Sequence, residues 1–332
     1  MYKRQALYHK LEIPVVLVET MPLSLYDPWV PPFTSGLIPK QTGISRLGIR
    51  LAWEKIVIAR KIRNLFFSML LCRQDYFSLY KRLFLECGFP FEEKIDWRRP
   101  FIIGIKESKI LSMNPSSLDF PRKYPPNCQY APSRVDLNRE DPMLNRRYAR
   151  VMEEVCLQKQ QRPDTKIIYC FSSTVMGFEK RSKIIFMKIR DICLRNPQFV
   201  FILSVGKYHN TSYLLPCPSN LYVFQQVPQL HLLSYCDLMI TSGGMNSIAE
   251  CIEKEVPMLV CPLSLKSDQL GNSARVVYHG LGLRARIKLD SSRTIEKRIV
   301  QLFENYATFK RNLSMMRTKI LAESTAINTE VI

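Results

Sequence analysis

The sequence predicts an α/β protein built on a mostly parallel sheet with helices on both faces. Short apolar runs alternate with helical stretches from Lys166 onward, which is the pattern of strand–helix–strand units. The runs Ile13–Val18 and Phe199–Ser204 are apolar without alternation, as strands buried on both faces are. A glycine pair, Gly243–Gly244, stands where the apolar run Leu238–Thr241 meets a helix-like segment.

Taken along the chain, residues 1–5 (MYKRQ) match the translated end of a transposon adapter and read as a sequencing scar. Residues 6–12 resemble the end of a helix, and Ile13–Val18 a buried parallel strand, so the chain begins part-way through an α/β unit. A proline-rich loop follows from Pro22 to Pro39 and contains Trp29-Val30-Pro31-Pro32-Phe33. Residues 44–87 read as basic amphipathic helices, with Ile49, Trp53, Ile56, Ile62 and Leu65 near helical spacing. Lys109–Met113 suits a strand, and the Pro-, Asn-, Arg- and Asp-rich stretch 114–146 suits a linker. Further strands are expected at 167–171, 199–204, 221–224, 238–241 and 258–261, with a helix at 179–195. Two domains follow, 1–150 including the linker and 151–332.

Composition narrows the class. No apolar run approaches the ~18 residues of a spanning helix, and the ten cysteines include no CxxC pair. Cys170, Cys236 and Cys261 fall in or beside apolar runs, so reduced thiols in a cytoplasmic protein fit better than disulfides or a zinc site. The net charge of +19 is uneven: residues 46–63 carry six Lys/Arg against one Glu, whereas 201–250 carry one Lys against two acids. The glycine-pair segment is thus the least basic, and no nucleic-acid recognition motif accompanies the charge. The basic helices either rest on an anionic membrane, at the inner face, or present a solvated face. There is no GxGxxG and no Walker A loop, which argues against a conventional dinucleotide or ATP site.

The segment TSGGMNSIAE (241–250) has its own chemistry. Gly243 and Gly244 permit a sharp turn and close approach of a ligand to the main chain. A helix beginning near Met245 offers unpaired N–H groups and the positive end of its dipole, which suits phosphate. Ser242, Asn246 and Ser247 add side-chain donors. Glu250, one turn beyond Asn246, can only accept, as ribose hydroxyls require. A plain glycine turn with a capped helix explains the ten residues alone equally well.

The flanks decide. Val227-Pro228-Gln229 lies upstream, and Val256-Pro257 with Asp268-Gln269-Leu270-Gly271-Asn272 lies downstream. In order and spacing the run 227–282 resembles the donor-binding signature of the UDP-glycosyltransferases, which include macrolide and carotenoid glucosyltransferases. More weakly, Ser172-Ser173 resembles the family's loop after the first strand of its second domain, and Val30-Pro31-Pro32-Phe33 the late part of its first. The resemblance implies two Rossmann-like domains facing across a cleft (the GT-B type), here with an incomplete first domain. It also implies an inverting transfer of a hexose from a UDP-sugar to a hydroxyl of a small or lipid-like acceptor, with no cofactor or metal beyond the UDP-sugar. Gly243, Gly244, Asn246 and Ser247 would hold the diphosphate, with Ser173 approaching from the other loop. Glu250 would take the ribose, Asp268 and Gln269 the donor sugar, and Gln229 would border the uracil.

Two positions depart from the family: Ser242 replaces a usual His, and Gln226 a Trp that stacks on uracil. The resemblance places the catalytic base, a His, upstream of this chain. His9, His209, His231 and His279 read as structural or surface residues, so no base is assigned. The alternatives are a non-catalytic nucleotide-sugar-binding fragment and a lipid-linked glycosyltransferase of the peptidoglycan-precursor type.

Overall fold

The computed structural model describes residues 10–100, 104–106, 108–132, 135–139, 146–171, 179–207 and 210–325. The expected scar at 1–5, His9, Ser173 and His209 lie outside these. Two compact units divide the chain, one holding the described residues up to 132 and the other those from 135 to 325. The division falls earlier than the expected boundary at 150, because the helix Arg146–Gln161 belongs with the second unit.

The first unit contains β1 (Val16–Glu19), α1 (Gly43–Leu70), α2 (Tyr76–Glu86), α3 (Phe91–Lys94), β2 (Ile95–Asp96), β3 (Gly104–Ile105), β4 (Lys109–Ser112) and β5 (Cys128–Tyr130). Strands β1, β4 and β5 form a parallel sheet in that order, and β2 pairs antiparallel with β3. The strand expected at 13–18 begins three residues late and is an edge strand. Only Leu17 is buried, against Leu23 and Ile110, while Val16 and Val18 stay about half exposed. Strand β5 falls inside the stretch expected to be a linker. Its three residues carry no period of their own, and their pairing comes from Ile110–Ser112 of β4.

Helix α1 starts where Thr42 Oγ1 accepts from the Ser45 amide, an ordinary N-cap. Its buried face is Ile49, Trp53 and Arg60, whereas Ile62 and Leu65, expected on that face, are 63% and 58% exposed. The physical reason is polar. Arg60 turns inward and donates to the backbone carbonyls of Trp97 (2.9 Å), Pro100 (3.1 Å) and Arg99, carbonyls that a leucine would leave unpaired. Trp53 Nε1 donates to Val30 O at 2.9 Å and so docks the Val30-Pro31-Pro32-Phe33 loop, in which Val30 and Phe33 are fully buried.

The second unit runs α4 (Arg146–Gln161), β6 (Lys166–Phe171), α5 (Glu179–Arg195), β7 (Phe199–Ser204), β8 (Leu221–Phe224), α6 (Gln229–Leu233), β9 (Leu238–Thr241), α7 (Met245–Glu253), β10 (Met258–Val260), α8 (Gln269–Tyr278), β11 (Gly282–Arg284), α9 (Ser292–Glu304) and α10 (Tyr306–Thr325). Its six strands are all parallel, in the order β11-β10-β9-β6-β7-β8. Helices α5 and α9 pack on the face carrying Ile168, Phe201, Ile240 and Leu259. On the other face Cys251 of α7 touches Met239, 3.2 Å between sulfurs. Cys170, Cys236 and Cys261 are buried, as their apolar surroundings suggest, and burial pushes the Cys261 thiol up to about 12.

Strand order reverses between β6 and β9, which are neighbours in space but not in sequence. A crevice at the carboxyl ends of the strands at such a switch point is where open α/β sheets bind ligands. The chain enters it at Ser242-Gly243-Gly244, directly after β9. In the first unit, Trp53→Phe should cost about 1 kcal/mol through the lost hydrogen bond, and Trp53→Ala about 3–5 kcal/mol; denaturant unfolding of the two variants measures the difference.

Candidate functional site

The turn after β9 is built around Gly243. Its φ of +88° is one that side-chain-bearing residues avoid, and an added Cβ would stand 2.7 Å from Val260 Cγ1. Its amide donates to Thr241 Oγ1 at 3.2 Å. Gly244 is the N-cap of α7 with ordinary extended dihedrals, and a Cβ there would meet nothing within 4 Å. The space beside it is therefore open. No side chain caps α7, so its first-turn amides keep their donor capacity for an anion. Ser242 is buried beside the turn and Asn246 is exposed on the first turn.

Asn272, completely buried on α8, joins this turn to the next loop. Its Nδ2 donates to Gly243 O at 2.8 Å and to Asp268 Oδ2 at 2.9 Å. One amide thus sets the glycine turn against the carboxylate expected to meet the sugar. Burial raises the Asp268 pKa above the ordinary carboxylate range, and the Asn272 hydrogen bond partly offsets this. Gln269 has a different place from the one its motif suggests. Its Oε1 accepts from the amides of Leu263 (2.9 Å) and Ser264 (2.8 Å), so it pins the loop leaving β10. That leaves its NH2 group as the end available to a sugar hydroxyl.

Glu250 is 5% exposed, and a carboxylate so placed needs donors. Oε2 accepts from Gln229 Nε2 at 2.8 Å and Oε1 from Arg139 Nη1 at 3.1 Å. Gln229 is held in turn by Tyr169, whose hydroxyl donates to Oε1 at 3.0 Å. Gln229 Nε2 also lies 3.4 Å from Ser247 Oγ. The Gln229 side chain is thus spent on orienting Glu250, and only its backbone neighbourhood remains to border a base. Gln226 is exposed in the loop after β8. His231 shares a hydrogen bond with the Tyr148 hydroxyl through Nδ1 (2.9 Å), in keeping with a structural role.

Most of the predicted donor residues therefore meet at the carboxyl ends of β9 and β10; Ser173 lies outside the described residues. Sequence reasoning missed three contributors. Asn272 stands four residues after Asp268 on a helix, a spacing that places both on one face, so it was discoverable. Tyr169 lies in a strand with nothing to distinguish it. Arg139 reaches Glu250 across 111 residues of chain, and no local pattern announces such a contact.

Known proteins are similar over this part of the chain. The UDP-glucoronosyl and UDP-glucosyl transferase family model matches residues 210–322, which bracket the motifs just described. The NDP-glycosyltransferase YjiC of Bacillus subtilis (strain 168) is 37% identical over 98 residues, covering 30% of this chain and 24% of that protein. The zeaxanthin glucosyltransferase of Pantoea ananas is 34% identical over 101 residues, covering 30% and 22%. The matched stretch thus spans about a quarter of each of these relatives. Among solved structures, the glycotransferase of kitacinnamycin superposes with a TM-score of 0.62 at 18% identity, covering 97% of this chain and 70% of that one. CalG4, the calicheamicin glycosyltransferase, gives 0.57 at 14% identity, covering 96% and 68%. These two likenesses show the fold alone, α/β of the GT-B type. The glycine turn, the buried glutamate and the Asp-Gln-x-x-Asn helix all lie within the stretch, residues 210–322, that is similar to the UDP-glucoronosyl and UDP-glucosyl transferases.

Proposed function

We propose that the second unit binds the donor of an inverting glycosyltransferase, which moves a hexose from a UDP-sugar to a hydroxyl of a small or lipid-like acceptor. The observation that carries this reading is the Gly243–Gly244 turn, opening on the uncapped amides of α7 and tied by Asn272 to Asp268. When the bond from the anomeric carbon to the diphosphate breaks, negative charge develops on the leaving oxygen. Amides at a helix N-terminus are already oriented towards that charge, so they stabilise it without reorganising. The amides, with Asn246 beside them, supply this role without calling on a metal or other cofactor. Glu250 accepts the ribose hydroxyls, and Asp268 with the Gln269 NH2 group orients the sugar. Arg139 occupies Glu250 Oε1, so ribose must share or displace it.

A second reading concerns the base. Gln226 stands exposed where the family stacks a Trp on uracil, and base–aromatic stacking is worth about 1–3 kcal/mol. Discrimination among pyrimidine diphosphates is therefore weaker in this reading. One neighbour of similar fold, the spinosyn rhamnosyltransferase SpnG, is described in complex with thymidine diphosphate.

For the first unit we propose contact with an anionic membrane surface, consistent with a hydrophobic acceptor and a cytoplasmic location. The outer side of α1 exposes Ile44, Leu47, Leu51, Ile58, Ile62 and Leu65 in one stripe, with Arg50, Lys55, Lys61 and Arg63 exposed along the same helix. No helix among the described residues is long and apolar enough to cross a membrane. An apolar stripe accompanied by cations lies in the interface plane instead. Binding to phosphatidylserine vesicles should fall steeply between low and high salt; equal binding to neutral vesicles would remove this reading.

Calorimetric titration of the whole chain with UDP, dTDP and ADP tests the donor assignment. UDP should bind saturably and ADP should not, and Glu250→Ala should weaken UDP by roughly tenfold or more, the worth of hydrogen bonds to a charged group. Absence of UDP binding to folded protein would overturn the donor assignment. Arg139→Ala should tighten UDP by up to about fivefold, since a partly exposed ion pair is worth at most about 1 kcal/mol. Gly243→Ala should destabilise the second unit by about 1–3 kcal/mol. Gly244→Ala should leave the melting temperature nearly unchanged yet weaken UDP, because its Cβ would enter open space facing the ligand.

A further inference from the structure

The second unit contains a cavity of about 760 Å3 that none of the donor residues lines. It lies around the carboxyl end of β11, between the loop leaving β10 and the helices α8 and α9. Its walls include Leu265, Leu270, Val277, Leu283, Ile287 and Leu289. Leu265 and Leu289 stand at its lip, 60% and 71% exposed. The volume falls in the ~300–1,000 Å3 range of small-molecule sites.

Five cations share this lining: Arg181, Arg284, Arg286, Lys288 and Arg298. Arg181 donates to Leu263 O. The carboxylate beside them is Asp290, buried, with Arg298 on Oδ2 and Arg286 Nε 3.7 Å from Oδ1. Asp290 also accepts from the Arg286 amide at 2.6 Å. One carboxylate thus stands beside five cations. Burial, and after it the like charges of Arg286 and Arg298, lower the Arg284 pKa. Like charges held together at the mouth of an apolar cavity favour an anion, and charge-assisted hydrogen bonds to it are strong. The lining contains no aromatic side chain, so it offers no platform for a base or sugar ring. A flexible aliphatic chain fits such walls.

We propose that this cavity is a second ligand site, separate from the donor site, for a single-chain anionic amphiphile: an alkyl chain lying along the leucine and isoleucine walls with a phosphate or carboxylate head among Arg284, Arg286 and Lys288. The two parts of the ligand are tested separately, with the full chain and probes kept monomeric in solution. Decyl phosphate should bind about fifteenfold more tightly than octyl phosphate, from about 0.8 kcal/mol for each of two buried methylenes. It should also bind at least tenfold more tightly than decanol, which lacks the charge. The double substitution Arg286→Gln with Lys288→Gln, both exposed side chains, should weaken decyl phosphate about tenfold while leaving the melting temperature and UDP affinity unchanged. Glu250→Ala should weaken UDP and leave decyl phosphate unaffected, so failure of the donor assignment and failure of this site are distinguishable. Equal affinities for decanol and decyl phosphate, no change in the double variant, or displacement of decyl phosphate by UDP would overturn the proposal.

Discussion

The buried carboxamide of Asn272 is the contact on which the site depends. A single NH2 group spans Gly243 O and Asp268 Oδ2, and so couples the loop after β9 to the start of α8. Two loops leaving adjacent parallel strands have no backbone hydrogen bonds holding them in register beyond the sheet. A side chain that bonds both supplies that register, and a fully buried one does so in a medium of low dielectric, where the bonds are stronger. Gln269 repeats the device one residue after Asp268, its oxygen taking two amides of the preceding loop. The carboxyl ends of β9 and β10 thus form a rigid ledge, the condition for electrostatic preorganisation.

Glu250 presents the complementary problem. A carboxylate at 5% exposure is tolerable only with donors aimed at it, and the structure brings them from three regions of the chain: Arg139, Gln229 and, through Gln229, Tyr169. Two of these are neutral, Tyr169 buried and Gln229 half-buried, and they fix the orientation of the carboxylate. The third is a cation on an exposed segment, easily moved. A fixed acceptor covered by a displaceable donor is suited to exchanging one partner for another.

Charge is uneven along the chain within each unit. The segment of the glycine turn is nearly neutral, with one Lys against two acids over residues 201–250. Part of the basic excess resides on α1 and around the β11 cavity. Within α1 the cations differ in kind: Arg60 is a core residue bonded to three carbonyls, and Arg50, Lys61 and Arg63 are exposed. Counting charges along the helix does not separate these roles.

The parallel sheet of the second unit was legible in the sequence, since β6, β7, β9 and β10 are continuous apolar runs, buried along nearly their whole length. The glycine turn and Asp268-Gln269 were legible too, because a positive φ and a helix start are local demands. Asn272 lay within reach of the same reasoning. The edge strand β1, the three-residue β5 and the inner face of α1 were not, because each takes its form from a partner distant in sequence. What each polar side chain does was likewise decided only by tertiary structure. Gln229 and Gln269 carry the family's pattern, yet their hydrogen bonds go to Glu250 and to backbone amides. Sequence determines which donors and acceptors are present; which of them meet depends on contacts such as Arg139 with Glu250 that no local period encodes.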